Sequence, residues 1–186
     1  MTLAIDTATP RCSCSLIRGT QTLRTLRSDG TADTAATLPL FLKELLHDTH
    51  ISRVIVGTGP GSFTGLRIGI ATAKAIALAR HVPICTIPSL TIIAAQMLRE
   101  TTDNILQPAI DAHNGFAYTA TLNRQLQTLQ PPQRIPAGQL SLRTPDTAAV
   151  ADCLRLNQFK ELTDLNVRPI YITPYIIQKS TTKSLI

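Results

Sequence analysis

Between Gly57 and Gly65 the chain reads Gly57-Thr58-Gly59-Pro60-Gly61-Ser62-Phe63-Thr64-Gly65, so four of its nine glycines fall within nine positions. Glycine accepts positive φ and lets a ligand or another backbone come close. The run ending in Val54-Ile55-Val56 reads as a buried strand, and the residues after the loop read as a helix to Arg80. A strand feeding a helix through such a loop aims several N–H groups at one spot, which favours anions. Asp6, closing the apolar run from Leu3, offers a carboxylate to the same end of a sheet.

The known phosphate and nucleophile motifs are each incomplete. A Walker A loop needs G-x-x-x-x-G-K-S/T, yet no glycine here is followed by lysine, and Lys74 lies well down the helix. The dinucleotide fingerprint G-x-G-x-x-G has Ser62 where its third glycine belongs. A nucleophile elbow needs G-x-S-x-G, whereas Ser62 is flanked by Pro60 and Thr64. Three roles stay open for the loop. Ser62 or Thr64 caps the helix while the glycines pack it on the sheet, or Asp6, Gly59, Gly61 and Ser62 form a residual anion or nucleotide site, or Ser62 is a nucleophile.

Other chemistry-bearing residues are sparse. Cys12 and Cys14 share one face of a strand, and with Cys85 and Cys153 they read as small buried hydrophobes, because no second ligand pair follows at metal spacing. His47 and His50 stand at the solvated end of a helix, where cationic groups suit the helix dipole. No metal, cofactor or catalytic residue is assigned. Of the 186 residues, 44% are hydrophobic and 16% charged, which excludes a disordered chain. The formal charge of +6 is spread over both halves, so a nucleic-acid partner is permitted and not demanded. With no Trp and 4% aromatics, a base-stacking platform is not expected. Met1–Pro10 lacks the basic and apolar regions of a signal peptide, and Arg67, Lys74 and Arg80 interrupt the apolar helix. A cytoplasmic protein with no membrane contact is expected.

The elements that must position these residues follow from pattern. Leu3–Thr7, Cys12–Arg18 and Thr22–Arg27 read as strands, the last two joined by the turn Arg18-Gly19-Thr20-Gln21. A helix capped by Thr31, Asp33 or Thr34 runs to about Asp48, with Pro39 suggesting a start just before it. Arg53–Gly57, the loop and its helix come next, then a strand over Val82–Ile87 and a helix capped by Ser89 to about Glu100. This β-β-β-α-β-α-β-α order is an α/β sheet with helices on its faces, the half-unit of the actin/Hsp70/sugar-kinase (ASKHA) two-lobe class. A Rossmann sheet, which starts β-α-β, fits the opening hairpin less well.

Residues 1–101 form this first lobe, and 102–186 a shortened second lobe with a polar tail over 178–186. In the second lobe, Ile105–Asp111 and Phe116–Leu122 read as strands, and Gln125–Pro145 as loop with one strand near Gln133–Ile135. Thr144–Leu156 reads as a helix with Pro145 at its first position, and Val167–Ile172 as a return to the sheet.

The helix after the loop carries Gly65, Gly69 and Ala73 at i, i+4 and i+8, a smooth stripe flanked by Leu66, Thr72 and Ile76. An almost wholly apolar helix must be covered on all sides. Either its own lobe covers it, or the stripe, with Leu38, Leu42 and Leu45 of the preceding helix, meets a partner or a second copy of the chain.

Val56–Gly69 and Ala71-Thr72-Ala73-Lys74 together closely resemble the signature of the TsaB (YeaZ) family. Ala4–Thr9, Leu38-Pro39 with Glu44-Leu45-Leu46, Ile110-Asp111-Ala112 with Gly115 and Tyr118, and Pro169-Ile170-Tyr171 as a closing strand are similar to other parts of it. The resemblance covers residues 3–118 well. It implies an ASKHA fold and a non-catalytic partner of the paralogous ligase TsaD, working with the ATPase TsaE. Together these support transfer of a threonylcarbamoyl group to adenosine 37 of tRNAs reading ANN codons, with tRNA reached through the complex. It also implies that the first-lobe helices contact TsaD, and that an isolated chain can pair with itself there. TsaD-type catalysis uses H-x-x-x-H, and His47-x-x-His50 has another spacing. Two positions depart from the family pattern: Asp33-Thr34 stands for His-Ser, and His113 for Arg. The alternative is a stand-alone nucleotide-dependent kinase or hydrolase using Asp6 and the Gly57–Gly65 loop.

Overall fold

The computed structural model describes residues 1–162 and 165–172. The expected polar tail over 178–186 lies outside the described residues. The chain opens with β1 (Thr2–Asp6), β2 (Ser13–Arg18) and β3 (Gln21–Arg27), followed by α1 (Thr34–Leu46), β4 (Arg53–Gly57), α2 (Phe63–Arg80), β5 (Ile84–Ile87) and α3 (Ser89–Met97). Next come β6 (Ile105–Leu106), β7 (Ala109–Asp111), β8 (Phe116–Asn123) and β9 (Thr128–Pro136). A 3-10 turn at Thr147–Ala149 runs into α4 (Val150–Arg155), and β10 (Lys160–Leu162) is the last strand among the described residues.

The first sheet has the order β10-β5-β4-β1-β2-β3, with β1, β4 and β5 parallel and the other pairings antiparallel. All five residues of β1 are buried, as a central strand covered on both faces requires. Alternate side chains serve alternate layers. Leu3, Ile5, Val54 and Val56 pack with Leu38, Leu42 and Leu45 of α1 and Ile70, Ala73 and Ala77 of α2. On the opposite face, Ala4, Ile55, Cys85 and Ile87 pack with α3, α4 and the second sheet. In that second sheet β8 pairs with β6, β7 and β9.

The helix buried all round is α3, not α2. Seven of the nine α3 residues are buried, from Ser89 to Ala95, because α3 lies between the first sheet and the second. By contrast α2 buries one side only, through Gly65, Leu66, Gly69, Ile70, Ala73 and Ala77. Its eighteen residues carry enough alanine to keep the outer side compatible with water.

Several boundaries differ from the sequence expectation for local reasons. Asp33 caps α1 through Oδ1, which accepts from the Ala35 N–H at 3.0 Å, so the helix starts well before Pro39. Pro88 takes the N-cap position of α3, leaving Ser89 inside the helix with its hydroxyl free for another partner. Asp146, not a residue before Pro145, caps the turn at Thr147, accepting from the Ala148 N–H at 2.9 Å. The region read mostly as loop contains nine-residue β9, held by β8 despite Pro131 and Pro132; as an edge strand it tolerates proline. The chain returns to the first sheet through Lys160–Leu162 beside β5. Val167–Ile172, expected as strand, is irregular and crosses the glycine loop instead, with the Ile170 N–H donating to Thr58 O at 2.7 Å.

A buried hydroxyl cluster joins the later part of the chain to the first sheet. Thr147 Oγ1 lies 2.7 Å from Ser13 Oγ and 2.6 Å from Ser15 Oγ, and the Thr147 N–H donates to Ser13 Oγ at 2.9 Å. Removing one member strands the others in a dry site. Thr147→Val is expected to lower unfolding stability by about 1–3 kcal/mol in urea titration, with an unchanged far-ultraviolet circular dichroism spectrum.

Candidate functional site

Asp6 ends β1 and is 1% exposed. Its Oδ1 accepts from the Ala8 N–H at 2.8 Å, and its Oδ2 accepts from the Ser89 hydroxyl at 2.6 Å. Ser89 Oγ in turn accepts from the Gly59 N–H at 3.0 Å. The carboxylate therefore connects β1, the glycine loop and α3. Burial raises the Asp6 pKa to about 6, and the hydrogen bonds from Ser89 and Ala8 pull it only part of the way back. Gly57 lies against the carboxylate, where a Cβ would collide with Oδ2.

The loop spends its amides on the protein. Thr58 N–H donates to Ile87 O at 2.9 Å, Ser62 N–H to Ala8 O at 2.7 Å, and Gly65 N–H to Ser62 Oγ at 3.2 Å. Ser62 caps α2, so its hydroxyl oxygen is a structural acceptor. Gly59 has φ +95°, a conformation that side-chain-bearing residues rarely adopt. At Gly61 a Cβ would strike the Ala8 carbonyl. The four residues considered as an anion site, Asp6, Gly59, Gly61 and Ser62, are brought together, but Asp6, Gly59 and Ser62 already pair with neighbouring groups of the protein. The fold class implies a nucleotide between its lobes, and these residues fit one poorly, because Asp6 is sealed and the Thr58, Gly59, Ser62 and Gly65 amides are bonded within the protein.

The cleft that remains between the two sheets is small. It encloses about 340 Å³ and is bordered by Ala8, Arg11, Ser62, Asp111, His113 and Arg143. Arg11 Nε–H donates to Asp29 O at 3.1 Å, and Arg143 pairs with Glu100 at 2.7 Å. His113 stands 3.5 Å from Asp111, and Asp33 is a helix cap; both positions that depart from the family pattern thus hold local contacts. All four cysteines are buried and free, and burial raises their thiol pKa values, which opposes thiolate chemistry. Among the described residues no three His, Cys, Asp or Glu side chains gather as metal ligands.

The smooth stripe on α2 faces inward, which corrects its reading as a docking surface. Gly69 abuts the Thr7 side chain and Gly65 the Thr7 carbonyl, each closely enough to leave no room for a Cβ. Leu66 and Ala73 are 0% exposed, as is Leu38, and Leu42 and Leu45 are buried beside them. Thr72 and Ile76 are half-buried at the flank. Thr7 Oγ1, a buried atom with no hydrogen-bond partner, occupies the place of the missing Gly69 side chain. The outer side of α2 lies two residues on, about 200° around the axis. There Ala71 and Ala75 are exposed, with Phe63 at 51% and Leu78 at 64% exposure. On the neighbouring α1, Leu40 is 66% exposed. Arg67 and Lys74 lie on this outer side as well, so the sequence did carry a mark of which side meets solvent. Ser89 was likewise missed as a partner of Asp6; its one signal is its place at the carboxyl end of a parallel strand.

The comparisons agree with this geometry. The family model described as TsaD, tRNA N6-adenosine threonylcarbamoyltransferase, matches residues 35–160. The tRNA threonylcarbamoyladenosine biosynthesis protein TsaB of Bacillus subtilis is 35% identical over 88 residues, covering 46% of this chain and 38% of that protein. TsaB of Escherichia coli is 34% identical over 136 residues, covering 66% of this chain and 54% of that protein. The matches thus span about two-fifths and about half of these curated relatives. The solved structure of YeaZ from Pseudomonas aeruginosa superposes with a TM-score of 0.74 at 20% identity, covering 92% of this chain and 99% of that one. A meander-led parallel sheet of this kind, with a reduced second lobe, is an actin/Hsp70-like (ASKHA) fold. Within the group matched by the TsaD model, the chain belongs to the TsaB (YeaZ) family.

Two outcomes test the site. The folded Asp6 pKa lies above the ordinary aspartate value of 3.8, so the stability it contributes is full below 3.8 and is lost as pH rises through about 6. The loss amounts to about 3 kcal/mol. Urea unfolding at pH 4 to 7 should show this decline, and Asp6→Asn should remove it. Gly69→Ala should destabilise by about 1–3 kcal/mol through overpacking against Thr7, although alanine favours helix. A Gly69→Ala midpoint at or above that of the parent chain would contradict the close packing.

Proposed function

We propose that this chain acts in tRNA threonylcarbamoyladenosine biosynthesis as a non-catalytic partner of a TsaD-type ligase. The observation that carries this reading is the pairing of a sealed glycine loop with an unpartnered apolar helix face. Asp6 has both carboxylate oxygens hydrogen-bonded and almost no solvent access. Leu40 on α1 and Leu78 on α2 stand more than half exposed on adjacent helices, and Ala71 and Ala75 of α2 are exposed and small enough for another helix to approach. The names of the curated relatives supply the pathway. A TsaE-type ATPase joins through the ligase, tRNA is reached through the complex, and an isolated chain pairs with itself over the same face. No helix among the described residues is long and apolar enough to cross a membrane, in keeping with a place in the cytoplasm beside tRNA.

Co-purification with the cognate TsaD-type protein tests the docking face. Leu78→Arg with Leu40→Glu should leave thermal unfolding within about 0.5 kcal/mol of the parent, since both side chains are exposed. The same double variant should lose the ligase and fail to restore modified adenosine in tRNA of depleted cells, read by nucleoside mass analysis. Retention of the ligase by this variant would move the interface elsewhere. The purified chain alone should not hydrolyse ATP; turnover that Asp6→Asn abolishes would favour an enzyme.

A further inference from the structure

A second recess, separate from the cleft between the sheets, opens at the carboxyl ends of β4 and β5. It encloses about 470 Å³, within the range of metabolite pockets. Parallel α/β sheets leave their crevices at this end, where successive connections diverge. Four stretches of chain meet around the space. The end of the first sheet supplies Thr58, Thr86 and Pro88; the turn into β9 supplies Leu126 and Thr128; the segment from Asn157 to Leu162 supplies Phe159 and Lys160; and the strap over 166–170 closes one side. That strap is anchored, with Val167 4% exposed and the Ile170 N–H bonded to Thr58 O at 2.7 Å. Interiors of folded proteins are close-packed, so a hollow of this size framed by anchored segments is a feature of the architecture.

Its lining has a definite chemistry. Hydroxyls of Thr58, Thr86, Thr91 and Thr128 and amides of Asn157 and Gln158 border it. The charged residues on its described wall are both cationic, Lys160 and Arg168, and neither is ion-paired with a described residue. Thr91 lies in the first turn of α3, whose N-terminal end already faces the buried Asp6 carboxylate through Ser89, so the charge of this wall comes from Lys160 and Arg168. Phe159, Leu162 and Ile170 supply apolar wall beside the cations. Several of these polar groups already donate within the protein, the Thr58 hydroxyl to Ile87 O, the Gln158 amide to Leu156 O and Arg168 Nε–H to Asn166 Oδ1, so it is the net positive charge of the wall that favours an anion.

We propose that this recess binds a small organic anion, its phosphate or carboxylate head held by Lys160 and Arg168 and its body lying against Phe159 and Ile170. The proposal is independent of the docking reading, because α1 and the outer side of α2 take no part in the recess.

Isothermal titration of the whole chain with ribose 5-phosphate, citrate and uncharged ribose tests it. Saturable binding of ribose 5-phosphate identifies a phosphate ligand and saturable binding of citrate a carboxylate ligand, and ribose should not bind. The double variant Lys160→Glu and Arg168→Glu, both at exposed positions, should weaken the bound anion at least about tenfold. Arg11→Glu, in the other cleft, should leave it unchanged. Absence of saturable binding by either anion up to about 10 mM would overturn the proposal. So would binding that persists in the double variant or is lost equally in Arg11→Glu.

Discussion

A buried carboxylate fixes the centre of this molecule. Asp6 sits where β1 ends, and its two oxygens hold the turn that follows β1 and the first residue of α3, while Ser89 passes the connection on to Gly59. Placing an acid there costs stability, as its raised pKa records, and the hydrogen bonds offset part of that cost. In return three elements distant in sequence acquire one geometry. The loop cannot shift without breaking the Gly59–Ser89 bond, and the loop sets where α2 begins.

The rotation of α2 follows from the same constraint. Gly65 and Gly69 admit the Thr7 backbone and side chain, so the helix settles closer to β1 than any larger residue would allow. Ala71, Ala75 and Leu78 are turned outward as a consequence. A loop whose composition suits phosphate thus serves as a packing device, because its amides find acceptors in Ala8, Ile87 and Ser89 before any ligand could supply them. The outer side of α2, with Leu78, and α1, with Leu40, are left with exposed hydrophobic area among the described residues.

The second half of the chain is tied to this frame at separated points. The Ser13–Ser15–Thr147 hydroxyl cluster holds the start of α4 against β2, and Lys160–Leu162 adds a strand beside β5. The strap over the loop brings Tyr171 to Phe63, with ring centres 5.3 Å apart, and the Arg67 guanidinium lies over the Phe63 ring, 3.7 Å from its centre. The strand at Lys160–Leu162 and the strap over 166–170 border the polar recess.

Much of the first lobe was legible from residue pattern. The strand–loop–helix at Arg53–Arg80, the Ser62 cap, the buried cysteines and the opening meander all follow from local rules about apolar period, capping and glycine. The second lobe was less legible: β9 carries three prolines and little alternation, and its pairing with β8 is a nonlocal contact that outweighs weak local preference. The family was readable in the glycine-rich signature, because close approaches at several points restrict residue type. By itself, then, the sequence determined the order of elements in the first lobe, the small residues at the loop and the apolar character of α2. Only the tertiary structure decided that Ser89 would meet Asp6, that Gly65 and Gly69 would close on Thr7, and that the chain would return beside β5. Each of those depends on contacts between segments far apart in the chain, where side-chain period leaves the choice of partner undetermined and burial settles it.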